Sequence, residues 1–255
     1  VASGLFSGCA TGPNRNPADP LEPLNRYTFT FNDAIDRAVA KPLAKGYNKV
    51  VPRPARTAVE NFFSNLGDVV TMVNDFLQLK FEDGMTDLTR VAFNSTFGIA
   101  GLIDIATPAG LQKHDQDFGL TLGHYGLPSG PFLVLPLFGP SSIRDATGFG
   151  VDQSFFAPAN YTRPAVRNSL WFSNFVSTRA RYLNATNLLE EAALDKYLFV
   201  RDAYLAQRKA RLSEGKEEEL PNYEQEGTPA PAPAHGPPAA PTPSPGQLPA
   251  PGQGR

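Results

Sequence analysis

The chain has 255 residues, 41% of them hydrophobic, with 23 basic and 25 acidic side chains and a formal charge of −2. That much apolar material excludes wholesale disorder, and the near-balanced charge excludes the basic footprint of a nucleic-acid binder. With a single cysteine, Cys9, neither an intramolecular disulfide nor a Cys-rich zinc site can form.

Leu5-Phe6-Ser7-Gly8-Cys9-Ala10 has the pattern that ends a bacterial lipoprotein signal, with Phe6 where Leu is usual. Small residues precede the cysteine and a Pro/Asn-rich stretch follows it. Residues 1–18 therefore read as a signal remnant, lipobox and linker, with Cys9 as the acylated residue. Ala10 carries no charge, which points to the outer membrane, and acyl chains contribute about 0.8 kcal/mol per buried methylene. The other reading of Cys9 is an incidental buried thiol.

Asp19-Pro20-Leu21-Glu22 reads as a helix start, with Asp19 as cap and Glu22 reaching back. Leu21, Leu24, Tyr27, Phe31, Ile35 and Val39 then recur at helical steps to a stop near Pro42. Val59, Phe62, Phe63, Leu66, Val69, Val70, Val73, Phe76 and Leu77 predict a longer helix with a wide apolar arc, interrupted at Gly67. Further helices are expected over 84–97, after Pro164, and over 188–212, the last with an acidic start and a basic end suited to the helix dipole. Phe132-Leu133-Val134-Leu135 reads as one strand of a hairpin.

Residues 118–143 carry no Asp, Glu, Lys or Arg, yet five glycines and four prolines break the run. Irregular backbone cannot face lipid directly and is tolerated at membrane depth only against protein or a water-filled cavity. The segment fits a protein lying in a bilayer, and equally a buried loop of a soluble helical domain. From Ser213 onward six Glu face only Lys216 and Arg255, and ten prolines lie between Pro229 and Pro251. Residues 213–255 therefore read as an acidic, then Pro/Ala-rich, disordered tail.

Chemistry is sparse. His114-Asp115-Gln116-Asp117 reads as a solvated loop, not a metal centre, because no second cluster completes a ligand set. Neither a nucleophile elbow nor a phosphate-binding loop is present. Asp104 and Asp152 are candidates for paired carboxylates and, equally, for loop caps. No cofactor is expected. Arg26, Arg90, Arg144 and Arg201 sit in apolar stretches, where each suits either a lipid phosphate or an acid such as Asp33, Asp145 or Asp202.

Four blocks share a pattern: Asp19-Pro20-Leu21-Glu22 with Asn25-Arg26 and Phe31-Asn32; Pro52 to Arg56 with Asn61-Phe62 and Asn65-Leu66; Asn94 to Gly98 with Gly101 and Asp104; and Asp117 to Gly126, continuing through Gly130 to Pro136, Gly139 to Ser141, and Arg144-Asp145. Over 19–212 the chain resembles the MlaA (VacJ) family of outer-membrane lipoproteins. The resemblance implies an all-α, ring-like arrangement of amphipathic helices around a central channel, embedded in the inner leaflet of the outer membrane. It also implies a non-enzymatic channel for misplaced phospholipids, a trimeric porin as partner and a periplasmic MlaC-like carrier as acceptor. On that reading Gly119, Gly123, Gly126, Gly130, Phe132, Leu133 and Leu135 are candidate channel wall or gate. Arg26, Arg90 and Arg144 are then candidate headgroup contacts. The alternatives are a lipid-active hydrolase built on Ser129, His124 and Asp152, and a structural or adhesive lipoprotein acting through its tail.

Overall fold

In the computed structural model, which describes residues 19–213, helix α1 (Glu22–Ile35) runs through a π-helical turn (Asp36–Ala40) into α2 (Lys41–Val50). The expected stop at Pro42 is absent. The Lys41 N–H reaches back five residues to the Asp36 carbonyl, and this wider turn carries the helix past a proline that has no N–H to give. Asp19 is not the helix cap either. Its buried carboxylate accepts hydrogen bonds from Asn25 Nδ2 (2.9 Å) and the Tyr197 hydroxyl, while Glu22 pairs forward with Arg26. Cys9 and the acidic, Pro-rich tail lie outside the described residues.

α3 (Arg53–Leu77) is continuous through Gly67 and folds back through a short turn onto α4 (Phe81–Thr96). The turn residue Leu79 takes a left-handed φ of 62°. A loop then leads to α5 (Phe118–His124). The hairpin follows, as expected for Phe132–Leu135: β1 (Phe132–Leu135) pairs antiparallel with β2 (Gly139–Ser142), Phe132 opposite Ser142 and Leu135 opposite Gly139. α6 (Ile143–Val151), capped by Ser142, continues into a π-helical turn (Asp152–Phe156) and leads on to α7 (Pro164–Arg181). The helix expected over 188–212 is two: α8 (Leu183–Ala192) and α9 (Lys196–Ser213). Between them Asp195 caps α9 by accepting the Leu198 N–H and pairs with Arg26. The predicted acidic start thus ends α8 instead of opening α9.

The apolar core is small. One cluster joins Ala44, Ala180 and Leu183; the other joins Phe132, Val134 and Tyr197. Asn25 stitches α1 to the hairpin, donating to the Phe132 carbonyl and accepting the Val134 N–H, both at 2.9 Å.

Polarity is reversed relative to a water-soluble bundle. Every fully buried position of α3 is polar: Asn65, Asp68, Thr71, Asn74 and Asp75. In α4 the buried positions are Gly84, Asp87, Arg90 and Asn94. The apolar stripe of α4 faces outward, with Phe81 61% and Met85 53% exposed, and Phe97 beyond its end is 69% exposed. Exposed apolar surface on this scale calls for an apolar surround. No helix of the described residues is long and apolar enough to cross a membrane.

Candidate functional site

The inward faces of four segments enclose an open cavity of about 560 Å³, within the ~300–1,000 Å³ range of small-molecule sites. α3 contributes Phe63, Gly67, Val70 and Thr71, and the loop before α5 contributes Lys113, Asp115 and Gln116. Phe149 and Asp152 come from the end of α6 and its π-turn; Asn174, Ser177 and Arg181 come from α7, with Tyr182 just beyond. A second space of about 210 Å³ adjoins through Phe149 and Asp152 and is bounded by Leu135, Phe138, Tyr204 and Arg208. A third, of about 170 Å³, shares Phe63, Gly67 and Val70 and adds the apolar Leu66, Leu170 and Trp171. Polar and greasy compartments therefore open side by side.

The polar stripe of α3 holds this wall in place. Thr121 donates its hydroxyl proton to Asn74 Oδ1 (2.8 Å) and accepts from Gln78 Nε2 (3.1 Å), which also donates to Gln116 (3.1 Å). Asp152 accepts from Asn74 Nδ2 (3.0 Å) and from the Phe118 N–H (2.8 Å), tying α3 and α5 to α6. Behind it, Arg208 of α9 bridges Asp117 and Asp145, and the Tyr204 hydroxyl donates to Asp145 (2.6 Å). Burial alone would push Asp145 up, but the Tyr204 hydroxyl and Arg208 outweigh it and hold its pKa below the ordinary carboxylate value.

Asp152 goes the other way. Burial dominates over its two hydrogen bonds and pushes it up to about 6. A folded-state value above the unfolded one favours the protonated form, so this group contributes stability at pH 4 that is lost as pH rises through 6. The stability difference between the wild type and Asp152→Asn should therefore shift by roughly 2–3 kcal/mol in the mutant's favour between pH 4 and pH 7.5. Parallel denaturant titrations check it; a difference independent of pH would overturn it.

Few of the sequence-predicted site residues meet the cavities. Of the candidate wall residues Leu135 lines one. Phe132 is a core residue, 1% exposed, and Leu133 is half-buried beside it in the hairpin. Gly119 and Gly123 are packing positions: a Cβ would lie 2.7 Å from Asp145 Oδ1 at Gly119, and 2.7 Å from Arg144 Nη1 at Gly123. Gly126, in a turn, and Gly130, in the loop before the hairpin, are exposed, with φ of +89° and +68°.

The arginines resolve toward their acids. The Arg90 side chain is 2% exposed, between Asp68 (3.4 Å) and the Leu111 carbonyl (2.6 Å). Arg144 is equally buried against Asp145 (2.9 Å), and Arg201 pairs with Asp202 (2.9 Å). Neither Arg90 nor Arg144 has a face left for a headgroup; only Arg26 is partly open, paired with Glu22 and Asp195 over the Tyr197 ring. Sequence reasoning missed Arg181, which lines the main cavity stacked on Tyr182 and makes no ion pair among the described residues.

No hydrogen bond joins Ser129, His124 and Asp152, whose two carboxylate oxygens are taken by Asn74 and Phe118. His114 does not sit in a merely solvated loop: it packs onto the α3–α4 hairpin, and its Nδ1 is 3.0 Å from Asp87.

The model of the MlaA lipoprotein family matches residues 17–211. The chain belongs to that family. Among MlaA proteins, the intermembrane phospholipid transport system lipoprotein of Escherichia coli (strain K12) is 36% identical over 231 residues, which cover 87% of this chain and 91% of that relative. The lipoprotein of the same description from Haemophilus influenzae is 31% identical over 219 residues, covering 83% of this chain and 87% of the relative. A solved structure described as the structural basis for maintenance of bacterial outer membrane lipid asymmetry superposes with a TM-score of 0.68 at 35% identity. It spans 78% of this chain and 100% of its own. The arrangement of the helices is thus that of an MlaA-family body.

Proposed function

We propose that the protein is a non-enzymatic outer-membrane lipoprotein that withdraws misplaced phospholipids from the outer leaflet and passes them to a periplasmic MlaC-like carrier. Lipid asymmetry is the result. Acylated Cys9 anchors it, the body lies in the inner leaflet with its outward Phe, Leu and Met side chains among acyl chains, and a trimeric porin is the membrane partner.

The reversed polarity of the α3–α4 hairpin, beside an open cavity that α3 helps to line, carries this reading. A charged headgroup cannot cross hydrocarbon unaided. A polar floor beside an apolar groove lets the headgroup ride on Thr71, Asn174 and Ser177 while the tails stay against Leu66, Leu170 and Trp171. Arg181, with its fork free of carboxylates, is the headgroup phosphate contact that Arg90 and Arg144 are too buried to make. The barrier falls without bond-making, and direction comes from the lipid gradient and the partners.

In cells lacking their own family member, the chain should return outer-leaflet phosphatidylethanolamine to its low normal level, read by a membrane-impermeant amine label. Arg181→Glu should leave the melting temperature unchanged and raise that label several-fold. Complementation failure by a wild-type chain that reaches the outer membrane would overturn the reading.

A further inference from the structure

Asp75 of α3 and Asp87 of α4 are both fully buried, and His114 from the cavity-wall loop closes over them. Their ligating atoms, one from each residue, lie within 4.8 Å of one another. Both oxygens of Asp75 and Oδ1 of Asp87 are buried with no hydrogen-bond donor. Buried carboxylate oxygens without a partner are costly, and the hydrogen bonds and ion pairs of the fold leave these three without a donor. Among the described residues no lysine or arginine nitrogen pairs with Asp75 or Asp87, although the neighbouring Asp68 is paired twice, with Arg90 and Lys113.

We propose that Asp75, Asp87 and His114 bind one divalent first-row cation of the Zn²⁺ or Mn²⁺ type, which clamps the cavity-wall loop onto the α3–α4 hairpin. The donor set decides the class. One imidazole with two carboxylates suits these ions, whereas an all-oxygen set would favour Ca²⁺ or Mg²⁺. The imidazole is already oriented for the role. Its Nδ1 edge faces Asp87 at 3.0 Å, while its Nε2 is 3.5 Å from Asp83 Oδ1. That is the outer carboxylate which, in metal sites, fixes the tautomer of a ligating histidine. Ligands about 2.0–2.1 Å from a tetrahedral ion stand roughly 3.4 Å apart, so groups no more than 4.8 Å apart need to close by little more than an ångström at most, while the His114–Asp87 contact at 3.0 Å opens slightly.

Position gives the clamp its consequence. His114 lies between Lys113 and Asp115, and both line the main cavity together with Gln116. A bound ion would fix the loop that forms that wall, independently of what the cavity carries. The competing arrangement is a proton shared between the two carboxylates; burial and the facing Asp87 push Asp75 up to about 8.

The experiment uses the untagged, detergent-solubilised full chain, stripped with chelator and titrated with Zn²⁺ alone, then Mn²⁺ alone. One ion per chain is expected, with a melting temperature that rises on addition and falls again with chelator. His114→Gln and Asp75→Asn should each weaken uptake by at least about tenfold, and His124→Gln should leave it unchanged. Should the wild type take up neither ion, or His114→Gln take up as much as the wild type, the clamp is wrong. A metal-independent rise in melting temperature in Asp75→Asn, without any uptake by the wild type, would identify the shared proton instead.

Discussion

Gly67→Trp should leave the protein folded and in the membrane while cutting phospholipid withdrawal at least about tenfold, the size of effect that loss of fit at a site produces. Gly67 sits in the middle of the 25-residue α3. A Cβ there meets no atom within 4 Å, and the residue borders both the main cavity and the apolar groove beside it. An indole has nowhere to go except into the space through which a lipid would move. The helix gains from the change, because glycine in a helix interior is about 0.5–1 kcal/mol less favourable than alanine. Gly67→Ala is the matched control: it should melt slightly higher and transport normally. The labelled outer-leaflet phospholipid and the melting temperature together separate blockage from misfolding. Normal transport by the tryptophan variant would show that the cavity is not the path.

The reason Gly67 is such a test was only half legible in the sequence. Apolar spacing located the long helix and the width of its greasy arc, because a 3.6-residue period is visible whichever face turns inward. The inward face was written just as plainly, in Asn65, Asp68, Thr71, Asn74, Asp75 and Gln78, also at helical steps. A buried polar stripe of that regularity is the signal that would have located the inward face of α3, from which Thr71 reaches the cavity. By contrast, the partners of buried charges were not legible. Arg90 reads as a charge in an apolar stretch until the fold brings Asp68 from 22 residues away and the Leu111 carbonyl from 21. Asp75, Asp87 and His114 come from two helices and a loop, so no local pattern joins them. Pro42 and the α8–α9 break misled in opposite directions for one cause: a helix continues or ends according to whether its backbone groups find partners. The π-turn supplied one at Asp36, and Asp195 supplied a cap where the apolar pattern showed no gap.

The seven residues of α5 raise the same issue at closer range, and Gly148→Val should show it as outright loss of the folded protein. α6 crosses α5 with Gly148 against Gly119, and a Cβ on Gly148 would stand 2.2 Å from the Gly119 nitrogen and 2.6 Å from its Cα. Overpacking ordinarily costs about 1–3 kcal/mol because side chains give way; here the obstacle is backbone, so the helices must separate. Separation pulls Asp145 of α6 and Asp117, the cap of α5, away from the Arg208 guanidinium that bridges them at 2.8 and 2.9 Å. Breaking a buried pair costs roughly a further 3–5 kcal/mol, comparable with the whole ~5–15 kcal/mol stability of a domain. Gly150, two residues on, meets nothing within 4 Å, and Gly150→Ala should melt at or above the wild-type temperature. Circular dichroism and the yield of membrane-extracted protein distinguish the two. If Gly148→Val accumulates and melts like Gly150→Ala, α5 and α6 do not cross at this contact, and the glycines of 118–130 regain the freedom to act as a moving wall.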